Sequence, residues 1–166
     1  MKQTMNEPAF SVIMPVWNRS HRVGKAIESV LAQTFQDLEL MIVDDGSDDG
    51  LEEAVRPYLG PKVRYLHIPH QGVSAARNAG IRATTGRFIA YLDSDNTWRP
   101  NFLEKMKAAL DNDGGNRLVT YAIAQIHTHP IAHDCHGHTN LQERKLVHSP
   151  LAVCATTNNK KSRSYK

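Results

Sequence analysis

From Phe10 to about Tyr121, short apolar runs alternate with stretches whose apolar positions recur every three or four residues. Residues 11–16 predict a first strand. After them Val23, Ile27, Val30 and Leu31 fall on one side of a helix that Ser20 is placed to cap. Residues 38–43 predict a second buried strand, followed by the acidic turn DDGSDDG at 44–50 and a helix carrying Leu51, Ala54, Val55 and Tyr58. Asp49 and Glu52 have capping-box spacing at its start. Residues 63–68 predict a third strand, 72–83 a helix of small residues, and 88–92 a fourth strand running into DSDN. Pro100 then opens a helix in which Leu103, Met106 and Leu110 share a face. Strands and helices in this alternation build an α/β fold, a mostly parallel sheet with flanking helices.

Beyond Asp111 the character changes. DNDGG reads as a loop and 118–123 as a fifth strand, after which the periodicity dissolves. Six of the nine histidines lie between His127 and His148, and HTHPIAHDCHGH at 127–138 has enough imidazole and thiol for a zinc site, in a spacing that fits no known zinc pattern. A truncated or altered C-terminus, a shifted reading frame included, accounts better for the simultaneous loss of pattern. The resulting division is an N-terminal extension, 1–8, a folded domain, 9–124, and a divergent His-rich and basic tail, 125–166, expected to be poorly ordered.

Composition narrows the class without defining it. The 166 residues suffice for one domain, and 40% apolar with 22% charged residues is ordinary for a soluble globular chain. No apolar run approaches the roughly 20 residues of a membrane span, and the N-terminus shows no signal-peptide pattern. The expectation is a cytoplasmic protein, with room for peripheral association at the inner face of the membrane. Cys135 and Cys154 are too few for a disulfide framework. The net charge of +3 is carried largely by Lys160, Lys161, Arg163 and Lys166, a solvated tail that gives no ground for a nucleic-acid partner.

In an open parallel sheet, ligands bind outside the carboxyl ends of the strands, so the residues just after each strand carry the chemistry. Here these are Pro15, Val16, Trp17 and Asn18; Asp44 and Asp45; and Asp93, Ser94 and Asp95. Asp93 and Asp95 are two apart on an extended segment, so both carboxylates face one way. Such a pair suits Mg²⁺ or Mn²⁺, which takes oxygen ligands and completes its shell with water and phosphates. A lone Asp-x-Asp arises by chance in roughly every second chain of this length, and DSDN also makes a good turn, so the triplet alone decides little. Asp44 and Asp45 either cap the next helix or accept hydrogen bonds from a base or ribose. Arg77 either faces phosphates or pairs with an acidic neighbour, and Trp17 either packs or stacks on a base. No GxGxxG follows the first strand and there is no Walker A sequence, which disfavours nicotinamide enzymes and P-loop ATPases.

Four linked segments decide more than any one of them: SVIMPVWNR, SVLAQTFQDLELMIVDDGSDDG, GVSAARNAGIRATTGRFIAYLDSDN and WRPNFLEKM. In order and spacing the chain resembles family 2 glycosyltransferases of the GT-A fold over residues 9–122. The resemblance implies that Pro15, Val16 and Trp17 line a nucleoside pocket, that Asp45 is similar in position to the family's base-binding aspartate with Asp44 beside it, and that Arg77 lies near the donor. Asp93, Ser94 and Asp95 look like its DxD, with Asp95 the direct ligand of Mn²⁺ or Mg²⁺ and Asp93 closer to ribose or metal-bound water. It further implies a nucleoside-diphosphate sugar as donor, a UDP-sugar first, a glycan, lipid or protein acceptor, and transfer with inversion. Direct inversion needs a general base, which the family carries further along the chain in an acidic pair before a Gln-x-x-Arg-Trp-like segment. Neither feature follows Tyr121, and Asp134 and Glu143 stand in no such motif, so no base is assigned. The chain is then either a transferase or a donor-binding fragment or pseudoenzyme without its base.

Overall fold

The computed structural model describes residues 7–112 and the strand backbone of 119–124 and 148–153. The His-rich stretch 127–138, Cys135, Cys154, Asp134, Glu143 and the basic end lie outside the described residues. Strands β1 (Phe10–Val16), β2 (Leu38–Asp45), β3 (Val63–Ile68) and β4 (Phe88–Tyr91) form one sheet in the order β3-β2-β1-β4, every neighbouring pair parallel. Helices α1 (Ser20–Leu31), α2 (Leu51–Val55), α3 (Val73–Ala83) and α4 (Phe102–Asn112) connect and flank them, and a 3₁₀ turn, Arg56–Tyr58, continues α2. Among the described residues no helix is long and apolar enough to cross a membrane.

The near-continuous apolar runs are explained by burial on two faces. Every residue of β1 is buried. Phe10, Val12, Met14 and Val16 point into the larger core, with Val23, Ile27 and Val30 of α1, Leu51 and Val55 of α2, and Leu103, Met106 and Leu110 of α4. Ile13 points the other way, with Met41, Val43 and Ile89, onto Ala76 and Ala79 of α3. The small residues of α3 let it lie close to the sheet. A Cβ at Gly80 would stand 2.5 Å from Ile13 Cγ2 and 3.2 Å from Val43 Cγ2. Gly80→Val is therefore expected to destabilise the domain by about 1–3 kcal/mol through overpacking, against a helix-propensity gain below about 0.5 kcal/mol, read as a lower midpoint in urea.

Buried Gln33 ties the end of α1 to the start of α4: its Nε2 donates to the carbonyls of Ser29 (3.0 Å) and Arg99 (2.8 Å), and its Oε1 accepts the Leu103 N–H at 3.0 Å. Several local expectations are corrected by such distant contacts. Ser20 is the first residue of α1 and does not cap it; its N–H is received by Asp49 Oδ2 at 2.8 Å. The parallel register that sets Val16 beside Asp44 brings the two loops together, so Asp49 serves α1, and the Asp49–Glu52 capping box does not form. Helix α2 instead starts after Gly50, at φ 77°, with no side-chain cap. Pro100 lies two residues before α4, which begins at Phe102. The second strand runs two residues further than expected, through Asp44 and Asp45. The fifth strand, β5 (Val119–Ala124), pairs antiparallel with an unanticipated β6 (His148–Val153).

Candidate functional site

At the carboxyl end of the sheet a cleft of about 550 Å³ opens between the loops that follow β1, β2, β3 and β4. It brings together Pro15 and Trp17 from β1 and its loop, Asp45 from β2, Arg77 from α3, and Asp93, Ser94 and Asp95 from the loop after β4. Arg19, His70, Gly72 and Val73 complete its lining.

Two expected residues do not reach it. Val16 is buried in the larger core, with α1 behind it. Asp44, as buried as Asp45, lies on the other face of the sheet, because the side-chain period of two sends adjacent strand residues to opposite sides. On its own face Asp44 receives the Ser47 N–H at 2.8 Å, the Tyr65 hydroxyl, and His67 Nδ1 at 3.1 Å. Burial pushes the Asp44 carboxyl up, but the hydrogen bonds from Ser47, Tyr65 and His67 outweigh it and hold the group below the usual aspartate range. The stabilisation this supplies is present above the ordinary aspartate value and lost as pH falls through the lowered one. Asp44 thus fastens the turn and does not line the cleft.

Asp45 faces the cleft with its carboxylate held by the next loop. Oδ1 accepts the Gln71 N–H and Oδ2 the Gly72 N–H, both at 2.9 Å, and His70 Nδ1 lies 2.9 Å from Oδ2. The turn after β2 fits only a glycine there: Gly46 has φ 74°, and a Cβ on it would meet the His70 backbone nitrogen at 2.7 Å. The His70 ring stacks on Trp17, with centroids 4.4 Å apart and planes at 22°. Trp17 is 52% exposed, so it remains open on the cleft as well as packed against His70. Asn18, in the left-handed region at φ 51°, turns the chain between Trp17 and Arg19. Its N–H reaches Ser47 Oγ at 2.9 Å and its Oδ1 accepts the Asp48 N–H at 3.0 Å, so the loops after β1 and β2 are tied to each other.

Across the cleft each carboxylate of the DSD triplet meets an arginine. Arg77 Nη2 donates to Asp93 Oδ1 at 3.0 Å and Arg19 Nη1 to Asp95 Oδ2 at 2.9 Å, with all four side chains between 36% and 41% exposed. Arg77 also lies over the Tyr91 ring at 5.6 Å, and its Nε is buried with no acceptor. Among the described residues no three His, Cys, Asp or Glu side chains converge as metal ligands. A pair of exposed carboxylates still fits a hard divalent cation of the kind that keeps much of its shell in water and phosphate oxygens.

Arg19 and His70 were not singled out from the sequence, although both had a signal. His70 follows the end of β3 by two residues, the same position relative to its strand that Asp93 holds after β4. Arg19 lies three residues past β1 in the WNR segment.

Comparison with known proteins agrees with this fold. Residues 11–129 match Glycosyl transferase family 2. The chain belongs to that family. Among curated members, an uncharacterized glycosyltransferase of Rickettsia felis is 42% identical over 104 residues, 62% of this chain and 17% of its own length. The Escherichia coli UDP-Glc:alpha-D-GlcNAc-diphosphoundecaprenol beta-1,3-glucosyltransferase WfgD is 38% identical over 101 residues, 60% of this chain and 40% of its own. The family fold, GT-A, is shared with Staphylococcus aureus TarS 1-349 in complex with UDP-GlcNAc, at a TM-score of 0.59 and 26% identity over 62% of this chain and 31% of that one. Mannosyltransferase PcManGT from Pyrobaculum calidifontis, in complex with GDP-Man and Mn2+, has the same fold at a TM-score of 0.58 and 24% identity, over 64% and 33% of the two chains. The chain therefore spans well under half the length of each.

Proposed function

We propose that the cleft binds a nucleoside-diphosphate sugar, a UDP-sugar first, and that the unit formed by residues 9–124 is the donor half of an inverting, metal-dependent glycosyltransferase. The observation that carries this is the convergence of Asp45, Asp93, Asp95, Arg19 and Arg77 on one cleft at the strand ends. In this reading Trp17 stacks on the base and Asp45 accepts a hydrogen bond from it, while Pro15 and Ser94 line the nucleotide's path. Asp95, with Asp93, holds Mg²⁺ or Mn²⁺, which when bound offsets the charge that collects on the departing diphosphate. Arg77 supplies further positive charge to the phosphates. Family membership and the UDP-Glc and UDP-GlcNAc in the names of WfgD and the TarS complex support a UDP-sugar.

Transfer requires an acceptor hydroxyl oxygen to attack the anomeric carbon as the bond to the diphosphate oxygen breaks, with the hydroxyl proton passing to a base. Among the described residues, the carboxylates after Asp95 are Glu104, bonded to Thr34 Oγ1, and Asp111, bonded to Lys107, and neither lines the cleft. That supports a second reading, donor binding without transfer by this chain alone. Calorimetric titration of the whole chain with UDP and GDP, with and without Mn²⁺, tests the shared part: Mn²⁺-dependent binding is expected, tighter for UDP, and a folded chain that binds neither nucleotide refutes it. Hydrolysis or transfer of a UDP-sugar in the presence of a hydroxyl acceptor separates the two readings.

A further inference from the structure

The DSD carboxylates are not bare. Arg19 Nη1 occupies Asp95 Oδ2 and Arg77 Nη2 occupies Asp93 Oδ1, and both arginines line the same cleft. Three carboxylates face this space, Asp45, Asp93 and Asp95, against two guanidiniums, so all but one of the negative charges is matched before any ligand arrives. A divalent cation on Asp95 must share that carboxylate with Arg19 or displace it, and in either case two guanidiniums then stand beside a dication. A diphosphate removes the conflict. It draws the cation and gives the freed guanidinium oxygen acceptors, for which Arg is the better fork than Lys.

We infer that Arg19 is a positioning residue for the donor's diphosphate, passing from Asp95 to phosphate oxygens when cation and nucleotide bind together. The arrangement favours such an exchange. The Arg19–Asp95 pair is an exposed one, easily broken, whereas an arginine on a phosphate forms stronger, charge-assisted bonds. Arg19 is also aimed by a fixed turn, since Asn18 at φ 51° is anchored to Ser47 and Asp48 of the neighbouring loop. Cation and nucleotide are consequently coupled: each binds better in the presence of the other, by the same factor. This rests on the proposed donor site, and its consequences differ from those of the site itself.

The test is a pair of calorimetric titrations on the full chain and on Arg19→Ala and Arg19→Lys, with circular dichroism and thermal midpoints as folding controls. Arg19→Ala is expected to move the two affinities in opposite directions. Mn²⁺ alone should bind roughly two- to fivefold tighter, because the competing guanidinium is gone. UDP at saturating Mn²⁺ should bind about tenfold weaker or worse, because a charge-assisted phosphate contact is lost. Arg19→Lys should recover part of the UDP affinity. A merely structural Arg19 would weaken both titrations together, and either that result or an unchanged UDP affinity overturns the inference while leaving the donor site standing. No UDP binding by the parent chain overturns both.

Discussion

Asp95→Asn is expected to weaken Mn²⁺-dependent UDP binding by about 100-fold or more, since changing a group that merely supports a metal ligand already costs about 10–100-fold in affinity. The fold should hardly notice. Asp95 is 39% exposed and its ion pair with Arg19 is of the kind worth about 0–1 kcal/mol. That corresponds to a shift in thermal midpoint below about 5 °C. The asymmetry between large loss of binding and small loss of stability is the signature of a ligand-facing group. Calorimetry with UDP and Mn²⁺ beside a thermal melt reads both at once, and a variant that binds like the parent removes Asp95 from the site. Asp44→Asn should do the reverse, because that carboxylate is buried and fully engaged by Ser47, Tyr65 and His67.

The contrast between these aspartates shows what the sequence made legible. Apolar runs located all four parallel strands, because burial on both faces leaves continuous hydrophobic segments. The same rule explains where the reading stopped short. Aspartate is poorly suited to strands, so the acidic residues after Val43 looked like a turn. In the fold, pairing with both neighbours, Asp44 to His67 and Asp45 to Ile68 on one side and Val16 to Asp44 on the other, carries β2 through them. Once both lie in a strand they must face opposite ways, and only Asp45 sees the cleft. Asp93 and Asp95 both line it as well, but from a turn and not from the extended segment expected of them: β4 ends at Tyr91, and the Asn96 N–H closes the turn on the Asp93 carbonyl at 3.0 Å. The cap of α1 was illegible for a different reason: its acceptor, Asp49, comes from a loop 29 residues away. Local spacing favoured Glu52 as the partner, and tertiary contact decided otherwise.

Asp45→Ala carries the second large effect, and two consequences must be told apart. Removing the carboxylate leaves the N–H groups of Gln71 and Gly72 without their acceptor and takes one of two partners from His70 Nδ1, which keeps the Asp45 carbonyl oxygen at 2.9 Å, so the loop leading into α3 loosens. Hydrogen bonds to a charged group contribute roughly 1.5–3 kcal/mol each and do not simply add, so a loss of about 3 kcal/mol in unfolding free energy is expected. If Asp45 also accepts a hydrogen bond from the base, UDP affinity should fall by a further 10- to 100-fold at a temperature where the variant is folded. Inorganic pyrophosphate with Mn²⁺ distinguishes the causes, because it uses the DSD carboxylates and arginines but has no base. Retained pyrophosphate binding with weakened UDP binding assigns Asp45 to the nucleoside. Equal loss of both would mean that Asp45 acts only by holding residues 70–72 in place, and that the base is recognised by Trp17 and its neighbours alone.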